Sequence, residues 1–345
     1  MIICSMKKKQ LSQRQLWRIQ KMQDAYTKRA EKKEAQIEEV LQAANLGDEQ
    51  KGIVISNFGQ QLDIEALEGN DQGKIFRCFQ RSNLDLLVAG DYVIWQEGDP
   101  AGVVIAGLPR ENFLERPSGM GELKPVAANI DQIIIVIAPL PEPFGNLIDR
   151  YLVAAEHYRI KPIVLLNKTD LINSDNSEAL EHLQEIYRNI DYPVLKVSTK
   201  TGENIDALKQ HLENKTSVFV GQSGVGKSAL VNTLLPEANT QVGNLSDAKD
   251  KGKHTTTAAR LYHFPDGGDL IDSPGIREFH LEHLDPETLL DGFVEFKPYL
   301  DQCKFRDCRH EQEPGCALNK AVDESKIQSE RMENYRQISR TLKSI

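Results

Sequence analysis

Residues 221–228 read Gly-Gln-Ser-Gly-Val-Gly-Lys-Ser, a pattern that is typical of phosphate-binding loops. The run comes directly after a strand-like segment, 217–220, and opens a helix-like segment, 227–235. Glycines allow backbone N–H groups to curl around phosphates, and the N-terminus of a helix adds its positive end. A glycine-rich turn that matched the pattern by chance would seldom lie between a strand and a helix. We therefore expect an α/β domain that binds a nucleotide.

Each position of this loop has an expected role at the nucleotide. Lys227 is expected to reach the β- and γ-phosphates and to assist catalysis, and Ser228 is expected to ligate Mg²⁺. The backbone N–H of Ala229 is expected to approach the α-phosphate. The predicted contacts of the loop are Gly221, Gln222, Ser223, Gly224, Val225, Gly226, Lys227, Ser228 and Ala229.

The base is predicted by residues 167–170, Asn-Lys-Thr-Asp, which follow an apolar strand-like run. The carboxylate of Asp170 can accept hydrogen bonds from the N1–H and the exocyclic amine of guanine. Adenine offers neither donor there, so it would leave a buried carboxylate unpaired. Lys168 is expected to pack along the base plane and Asn167 to brace the loops, and Thr169 completes the motif. The motif therefore predicts a guanine nucleotide.

A further base-contacting loop is predicted at the end of the next strand-like run. It comprises Ser198, Thr199 and Lys200. Alanine is usual at the middle position, so Thr199 departs from the common pattern. The expected contact at that position runs from a backbone N–H to the O6 atom of guanine, so the change of side chain should matter little.

Residues 272–275, Asp-Ser-Pro-Gly, match the motif that senses Mg²⁺ and the γ-phosphate. Asp272 is expected to hold Mg²⁺ through water, and the N–H of Gly275 is expected to face the γ-phosphate. Residues 253–257, Lys-His-Thr-Thr-Thr, precede this motif. They adjoin a stretch at 242–252 that is rich in Gly, Ser and Lys, a composition that suits a mobile switch loop. The candidates for the threonine that completes the Mg²⁺ shell are Thr256, which we favour, and Thr255 and Thr257.

The catalytic side chain is predicted from the same switch stretch. Ile276 follows the Asp-Ser-Pro-Gly motif, at the position where Ras-like enzymes carry the glutamine that orients water. An apolar side chain cannot orient water, and His254 is the best local substitute. The alternative is that His254 only shapes the loop or contacts a partner.

The order of these motifs is unusual. In ordinary GTPases the phosphate loop comes first and the base-recognition motifs come last. Here the motifs at 167–170 and 198–200 precede the phosphate loop at 221–228. We therefore predict a circularly permuted domain, because joining neighbouring old termini leaves the sheet and the site intact. The permutation also places both switch stretches directly before the C-terminal cysteines.

Three of the five cysteines of the chain lie within residues 303–316. Cys303, Cys308, His310 and Cys316 form a Cys₃His set, which is a closed set of ligands for one structural Zn²⁺ per chain. The alternative is a group of buried, reduced cysteines. Five cysteines in 345 residues are too few for a disulfide scaffold, so a reducing, cytoplasmic location is expected.

The net charge of −9 is unevenly distributed along the chain. Residues 1–35 carry ten basic and three acidic side chains, so the remainder is strongly acidic. Such an arm either docks on nucleic acid through phosphate contacts or is a solvated terminal helix. The same two readings apply to the basic residues of the C-terminal part, which are Arg306, Arg309, Arg331, Arg336, Arg340 and Lys343. No apolar run approaches the roughly 20 residues of a membrane helix, so no membrane contact is expected.

Short strands are predicted between the arm and the nucleotide-binding domain. The strand-like runs are 52–64, 74–80, 90–96 and 101–107. They predict a small barrel or sandwich; an oligonucleotide-binding (OB) barrel fits the length, and the pattern does not distinguish it from an SH3-like barrel. Residues 116–125 predict a linker because they contain two prolines and two glycines. Beyond them, alternating strands and helices predict a parallel, doubly wound sheet, and a polar helix is expected over 320–342.

The ordered motifs, the small barrel and the cysteine cluster together resemble the RsgA (YjeQ/EngC) family of GTPases in bacterial small-subunit ribosome biogenesis. The likeness covers roughly residues 50–320 and includes the segments 90–93, 110–117 and 128–132. It implies an OB barrel, a zinc domain, GTP hydrolysis stimulated by the small ribosomal subunit, and a role late in the maturation of that subunit. It also implies that His254 corresponds to the histidine proposed as catalytic in the family.

These readings predict a multidomain protein. Its parts are a basic arm at 1–48, an all-β OB-fold barrel at 49–118, an α/β circularly permuted P-loop GTPase domain at 119–285 and a helical zinc-binding domain at 286–345. The expected partners are the small ribosomal subunit with its rRNA and GTP or GDP, the expected metal ions are Zn²⁺ and Mg²⁺, and the chain is expected to be a monomer. Two alternatives are a permuted GTPase that acts on another RNA and a nucleotide-gated RNA-binding module whose hydrolysis is incidental.

Overall fold

Two β-rich units and one helical unit follow one another along the chain. The computed structural model describes residue 21 and residues 46–117, 122–236, 259–272 and 285–342. The candidates His254, Thr255, Thr256, Thr257 and Gly275 lie outside these ranges, as does nearly all of the basic arm. No helix in the described ranges is long and apolar enough to cross a membrane.

The first β-rich unit is a closed barrel of five strands. They are β1 (Glu49–Asn57), β2 (Gln61–Ala66), β3 (Ile75–Gln80), β4 (Tyr92–Gln96) and β5 (Gly102–Gly107). The order is β1-β2-β3-β5-β4, closed by pairing of β4 with β1, and β3 runs parallel to β5. This order is that of the OB barrel, so the OB prediction is confirmed and the SH3-like alternative is wrong. The predicted run 52–64 contains two strands and the turn between them.

Most of the segment predicted as a linker belongs to a β-hairpin that follows the barrel. Strand β6 (Phe113–Pro117) pairs antiparallel with β7 (Leu123–Ala128), so the prediction over 116–125 is wrong at both of its ends. A two-stranded ribbon has free edges, and a proline is tolerated on an edge because no ladder hydrogen bond is lost there. The two prolines that suggested a linker therefore fit within strands.

The second β-rich unit is the predicted doubly wound α/β domain. Its strands are β8 (Gln132–Ile137), β9 (Lys161–Leu166), β10 (Val194–Lys196), β11 (Thr216–Val220), β12 (Arg260–His263) and β13 (Asp269–Asp272). The order is β10-β9-β8-β11-β13-β12, parallel except for β12, which is antiparallel to β13. Its helices are α1 (Gly145–His157), α2 (Ser177–Arg188), α3 (Ile205–Leu212) and α4 (Lys227–Leu234).

Alternate residues of β8 explain why this sheet has helices on both faces. All six residues of β8 are buried. Ile133, Ile135 and Ile137 pack in one apolar cluster with α1 and α2, whereas Ile134 and Val136 pack in another with α3 and α4. A strand that is buried at every position and almost entirely apolar is typical of parallel sheets covered on both sides.

The C-terminal unit is helical. It contains α5 (Pro286–Asp291), a 3₁₀ helix (Val294–Tyr299), α6 (Ala317–Asp323) and α7 (Ser329–Leu342). The single helix predicted over 320–342 is wrong, because the chain turns between α6 and α7. Ser325 adopts a left-handed φ of 56°, and the turn buries Ile327. An isolated left-handed residue ends a right-handed helix.

A buried ion cluster attaches this unit to the α/β domain. Arg331 of α7 is 1% exposed, and its Nη1 donates to Asp149 Oδ1 of α1 at 2.6 Å. Its other donors bind both carboxylate oxygens of Glu295 at 2.6 and 2.9 Å. Asp149 also accepts hydrogen bonds from Asn334 and Tyr187. Burial works against the charge of Arg331, but the two carboxylates outweigh it and raise its pKa above the ordinary value.

Replacing this arginine should destabilise the chain strongly. Arg331→Met keeps a long apolar side chain but leaves Asp149 buried without its counter-charge. Removing one partner of a buried ion pair costs about 3–5 kcal/mol. The urea midpoint followed by far-UV circular dichroism should fall accordingly. Arg340→Met is the control, since Arg340 pairs with Glu311 at the surface and such pairs are worth about 0–1 kcal/mol. Equal midpoints for the two variants would contradict this account.

Candidate nucleotide and metal sites

The glycine-rich loop between β11 and α4 has two positions at which only glycine fits. Gly221 has a φ of +136°, and a Cβ atom there would lie 2.2 Å from the carbonyl oxygen of Val136. Gly226 has a φ of +98°, and a Cβ there would lie 2.4 Å from Nδ2 of Asn167. Both distances are below any real Cβ contact, so the loop is built for close approach of backbone to its neighbours. The predicted strand–loop–helix context is confirmed.

Lys227 lies at the first position of α4, where it can reach the interior of the loop. Its Nζ donates to the carbonyl oxygens of Gly221 and Gln222 at 2.5 and 2.8 Å. Ser228 is half-buried and Ala229 is exposed in the first helical turn. The loop members Gln222, Ser223 and Gly224 are exposed, and Val225 is buried. The loop therefore presents its backbone to solvent at the N-terminus of a helix.

The Asn-Lys-Thr-Asp segment is attached to this loop by two side chains. Asn167 is fully buried at the end of β9, and its Nδ2 donates to the carbonyl oxygen of Val225 at 3.0 Å. Lys168 adopts a left-handed φ of 60°, and its Nζ donates to the carbonyl oxygens of Gly224 at 2.6 Å and Leu140 at 2.9 Å. The structure thus brings together two motifs that are more than 50 residues apart in the chain.

Asp170 is held in one orientation by the third predicted loop. Ser198 Oγ donates to Asp170 Oδ1 at 2.6 Å, and Lys200 Nζ lies 3.5 Å from Asp170 Oδ2. The hydrogen bond from Ser198, with help from Lys200, keeps the pKa of Asp170 below its ordinary value. The group is therefore an ionised acceptor. Thr199, between the two, is half-buried.

Sequence reasoning missed two parts of this arrangement. Glu203 accepts a hydrogen bond from Thr169 Oγ1 at 2.5 Å, and its backbone oxygen accepts from the N–H of Ser198, so it joins the two base loops. The segment 139–144 supplies Leu140, whose carbonyl holds Lys168. The run Thr-Gly-Glu-Asn after Lys200 is a turn signal that could have indicated Glu203. The contact of Leu140 uses a backbone carbonyl, which any residue has, so the sequence could not have predicted it.

The predicted residues that are described meet at one edge of the sheet. Asp272 is the last residue of β13, which runs parallel to β11. The carboxyl ends of β9, β10, β11 and β13 therefore carry Asn167, Ser198, Gly221 and Asp272 at the same edge. Ligands of open α/β sheets bind at this edge.

The four predicted metal ligands also lie together. The ligand atoms of Cys303, Cys308, His310 and Cys316 are all within 4.8 Å of one another. Nδ1 of His310 is 3.6 Å from the sulfur of Cys303 and 3.5 Å from that of Cys316. His310 and Cys316 are buried, and Arg336 of α7 holds the carbonyl oxygen of His310.

This geometry fits a tetrahedral zinc ion. Zn–S bonds of about 2.3 Å and Zn–N bonds of about 2.0 Å place sulfur and nitrogen about 3.5 Å apart around one ion. Desolvation raises the pKa of the Cys308 thiol to about 12 and lowers the pKa of His310. A neutral imidazole and thiols that need a cation to ionise are the donor chemistry of a Zn²⁺ site.

The arrangement agrees with what this chain is similar to. The model of the RsgA GTPase family matches residues 107–282. The small ribosomal subunit biogenesis GTPase RsgA of Hahella chejuensis is 56% identical over 338 residues, which cover 98% of this chain and 97% of the relative. The protein of the same name from Ectopseudomonas mendocina is 55% identical, with 98% of both chains covered.

Two solved structures share the fold over most of the chain. YjeQ from Thermotoga maritima is 33% identical and covers 86% of this chain and 99% of its own, with a TM-score of 0.71. YloQ, described as a circularly permuted GTPase, is 30% identical and covers 86% and 96%, with a TM-score of 0.67. The predicted permutation and the predicted family are therefore both confirmed. The chain belongs to the RsgA GTPase family of circularly permuted GTPases.

Proposed function

We propose that this chain binds the small ribosomal subunit in the cytoplasm and hydrolyses GTP to GDP and phosphate late in the maturation of that subunit. The observation that carries the choice of nucleotide is the carboxylate of Asp170, ionised and oriented by Ser198 and Lys200 beside a phosphate-type loop. The small ribosomal subunit is inferred from the names of relatives that match the chain along its length.

The residues at the edge of the sheet divide into three groups. For GTP we propose Asn167, Lys168, Thr169, Asp170, Ser198, Thr199, Lys200, the residues 221–229, and Gly275. For Mg²⁺ we propose Ser228, Asp272 and Thr256. A bound Mg²⁺ would neutralise developing charge on the phosphates. For one structural Zn²⁺ we propose Cys303, Cys308, His310 and Cys316, in support of which the donor distances fit a tetrahedron.

The chemistry assigned to this chain is positioning and charge stabilisation. Phosphoryl transfer needs the γ-phosphate held in line with the attacking water and its negative charge compensated. Lys227 and the N–H groups of the loop supply the charge compensation, and the N–H of Gly275 adds to it. We assign His254 the task of orienting or polarising the water.

For RNA we propose that contact is made chiefly by the barrel and the basic arm. Phe58, at the β1–β2 turn, is 44% exposed, and the guanidinium of Arg77 lies over its ring at 4.8 Å. An exposed aromatic ring beside an arginine is the kind of platform on which bases stack. The C-terminal arginines contribute less than their number suggests, since Arg331 and Arg336 are engaged inside the protein.

The proposed divisions are the arm at 1–48, the barrel at 49–118, the GTPase domain at 119–285 and the zinc-binding unit at 286–345. GTP orders the switch stretches, so that the barrel and, to a lesser extent, the zinc-binding unit hold rRNA on either side of the GTPase domain. Hydrolysis relaxes the switches and lowers affinity for the particle. Co-sedimentation with small subunits should therefore need a non-hydrolysable GTP analogue, and equal binding with GDP would refute the switch.

The direct test is the rate of GTP hydrolysis with and without purified small subunits, with large subunits as the control. We expect stimulation by small subunits alone. Stimulation by a different RNA only would favour the permuted GTPase that acts on another RNA. A Ser228→Ala variant that still supported subunit maturation would favour an RNA-binding module whose hydrolysis is incidental.

His254→Ala should lower the stimulated kcat while GTP affinity stays near normal. Positioned acid–base groups contribute about 10²–10⁴-fold, so a loss in that range is expected. The measurements are single-turnover hydrolysis on small subunits and equilibrium binding of a fluorescent GTP analogue. His263→Ala is not a suitable control, because His263 binds two carboxylates. His211→Ala is suitable, because the half-buried ring of His211 bonds to the carbonyl oxygen of Ala207 in its own helix. Unchanged turnover in His254→Ala would remove the assignment.

A further inference from the structure

The barrel and the GTPase domain share one continuous sheet. Strand β12 pairs with β13 on one side and with the barrel strand β1 on the other. Ser56 of β1 lies opposite Arg260 of β12, and Arg260 lies opposite Asp272 of β13. Ser56 is buried, and its Oγ donates to the carbonyl oxygen of Ala259 at 2.9 Å. A single row across three strands thus runs from the barrel to the proposed Mg²⁺ carboxylate.

Charged side chains reinforce this junction at the other end of β12. Nε2 of His263 lies 2.7 Å from Oε2 of Glu65 in the barrel, and its Nδ1 lies 2.6 Å from Oδ1 of Asp269 in β13. The hydrogen bonds to Asp269 and then to Glu65 raise the pKa of His263 to about 10. The ring is therefore an imidazolium at neutral pH and binds one carboxylate of each domain.

A second pair of contacts lies beside this triad. Asp63 of β2 is 2.7 Å from Nε of Arg77 in β3 and 4.0 Å from Nη1 of Arg260 in β12. Asp63 and Glu65 alternate along β2, so both point to the same side of that strand. The barrel strand β2 thus presents two carboxylates to two cations of β12.

The hairpin that the barrel holds is the one between the two proposed switch stretches. Strand β12 begins at Arg260, three residues after Thr257, and β13 ends at Asp272, directly before Ser273. A shift of the hairpin against the barrel would move Asp272 and the two points at which the chain enters the hairpin from the first stretch and leaves it for the second. Coupling between two sites needs an element that both sites bias. This hairpin pairs with the barrel strand β1 and carries Asp272 at its end.

We propose that Glu65, His263 and Asp269 form a positioning device that couples RNA occupancy of the barrel to the position of Asp272, and so to the rate of GTP hydrolysis. The inference rests on the proposed function, because it needs stimulation by the small subunit. It assigns His263 no contact with nucleotide; the histidine acts through β13.

The test compares Glu65→Gln, His263→Gln and the conservative His263→Arg in the full chain. In the two glutamine variants we expect basal hydrolysis and the subunit concentration for half-maximal stimulation to stay unchanged. The maximal stimulated rate should fall by about fivefold or more, the lower range of measured couplings between sites. His263→Arg keeps a cation between the two carboxylates and should restore stimulation, which a misfolded barrel would not allow.

The control is His182→Gln. His182 also binds a carboxylate across a domain boundary, Glu330 at 2.9 Å, but on the side of the zinc-binding unit. It should be stimulated like the wild type. The double variant of Glu65 and His263 should lose no more than either single variant, since both remove the same link.

The outcomes separate the two proposals. If the wild type is stimulated and the glutamine variants are stimulated equally, the coupling is wrong and the proposed function stands. If the wild type is not stimulated by small subunits, the proposed function fails and the coupling fails with it. Loss of stimulation in His182→Gln to the same extent would also overturn the coupling, because the effect would not be specific to the barrel junction.

Discussion

Asp170→Asn should change the nucleotide that this GTPase accepts from GTP to xanthosine triphosphate. The amide loses the negative charge and turns one acceptor into a donor, which then faces the exocyclic amine of guanine. The hydrogen bond to the exocyclic amine is lost, and the one to N1–H no longer involves a charge. Hydrogen bonds to a charged group are worth about 1.5–3 kcal/mol and neutral ones about 0.5–1.5 kcal/mol, so GTP binding should weaken by about 10²–10³-fold. Xanthine carries a carbonyl oxygen in place of the amine, and the new donor can bind it.

The measurement is competition of both nucleotides against a fluorescent GTP analogue, together with hydrolysis of each. Asp175→Asn is the matched control, because Asp175 is an exposed aspartate five residues further on that accepts only from Ser174. It should bind GTP like the wild type. Should Asp170→Asn keep its preference for GTP, Asp170 does not read the base, and the proposed roles of Ser198 and Lys200 in recognising guanine fail too.

Cys308→Ser should release the metal and loosen the C-terminal unit. Purified wild-type protein is expected to contain one zinc per chain by elemental analysis. Binding of structural zinc is worth about 10–16 kcal/mol in small zinc peptides, so its loss should remove most of the order that the cluster supplies. Limited proteolysis should then cut near residues 303–316 at protease concentrations that leave the wild type intact.

Cys78→Ala is the control for this experiment. Cys78 is fully buried in the barrel, and burial raises the pKa of its thiol to about 12. It is an inert core thiol and should not affect metal content. Retention of a full equivalent of zinc by Cys308→Ser would mean that the ligand set is misread. Wild-type protein without zinc would mean that the cluster is a group of reduced cysteines, the alternative that the sequence also allowed.

The candidate site was largely predictable because its motifs carry their own local constraints. The phosphate-type loop needs glycine at positions such as Gly221, where a Cβ atom would clash, so its glycines are visible in the sequence. The pairing of Asp170 with Ser198 follows from two adjacent parallel strands, and the alternation of strands and helices already predicted a parallel sheet. The Cys₃His set was readable because metal ligands depend on residue type and spacing rather than on distant packing.

Contacts between domains were not predictable. The arginines of α7 were read as a basic surface, but Arg331 lies buried between two carboxylates that are 182 and 36 residues away. The sequence gives the number of these arginines and the sign of their charge, whereas their burial depends on how the domains pack. The break of the C-terminal helix at Ser325 was missed for a similar reason, since it is the burial of Ile327 that requires the turn.

The packing of α1 has a consequence for any attempt to divide this protein. Val153 and Ala154 of α1 are buried in the apolar cluster formed by Phe293, Phe296 and the C-terminal helices rather than by the GTPase sheet. A chain ending near residue 285 would expose these apolar side chains and the buried carboxylate of Asp149 on one helix face. Such a truncated GTPase domain would be prone to aggregate. The C-terminal unit thus completes the fold of the enzyme in addition to carrying the four proposed metal ligands.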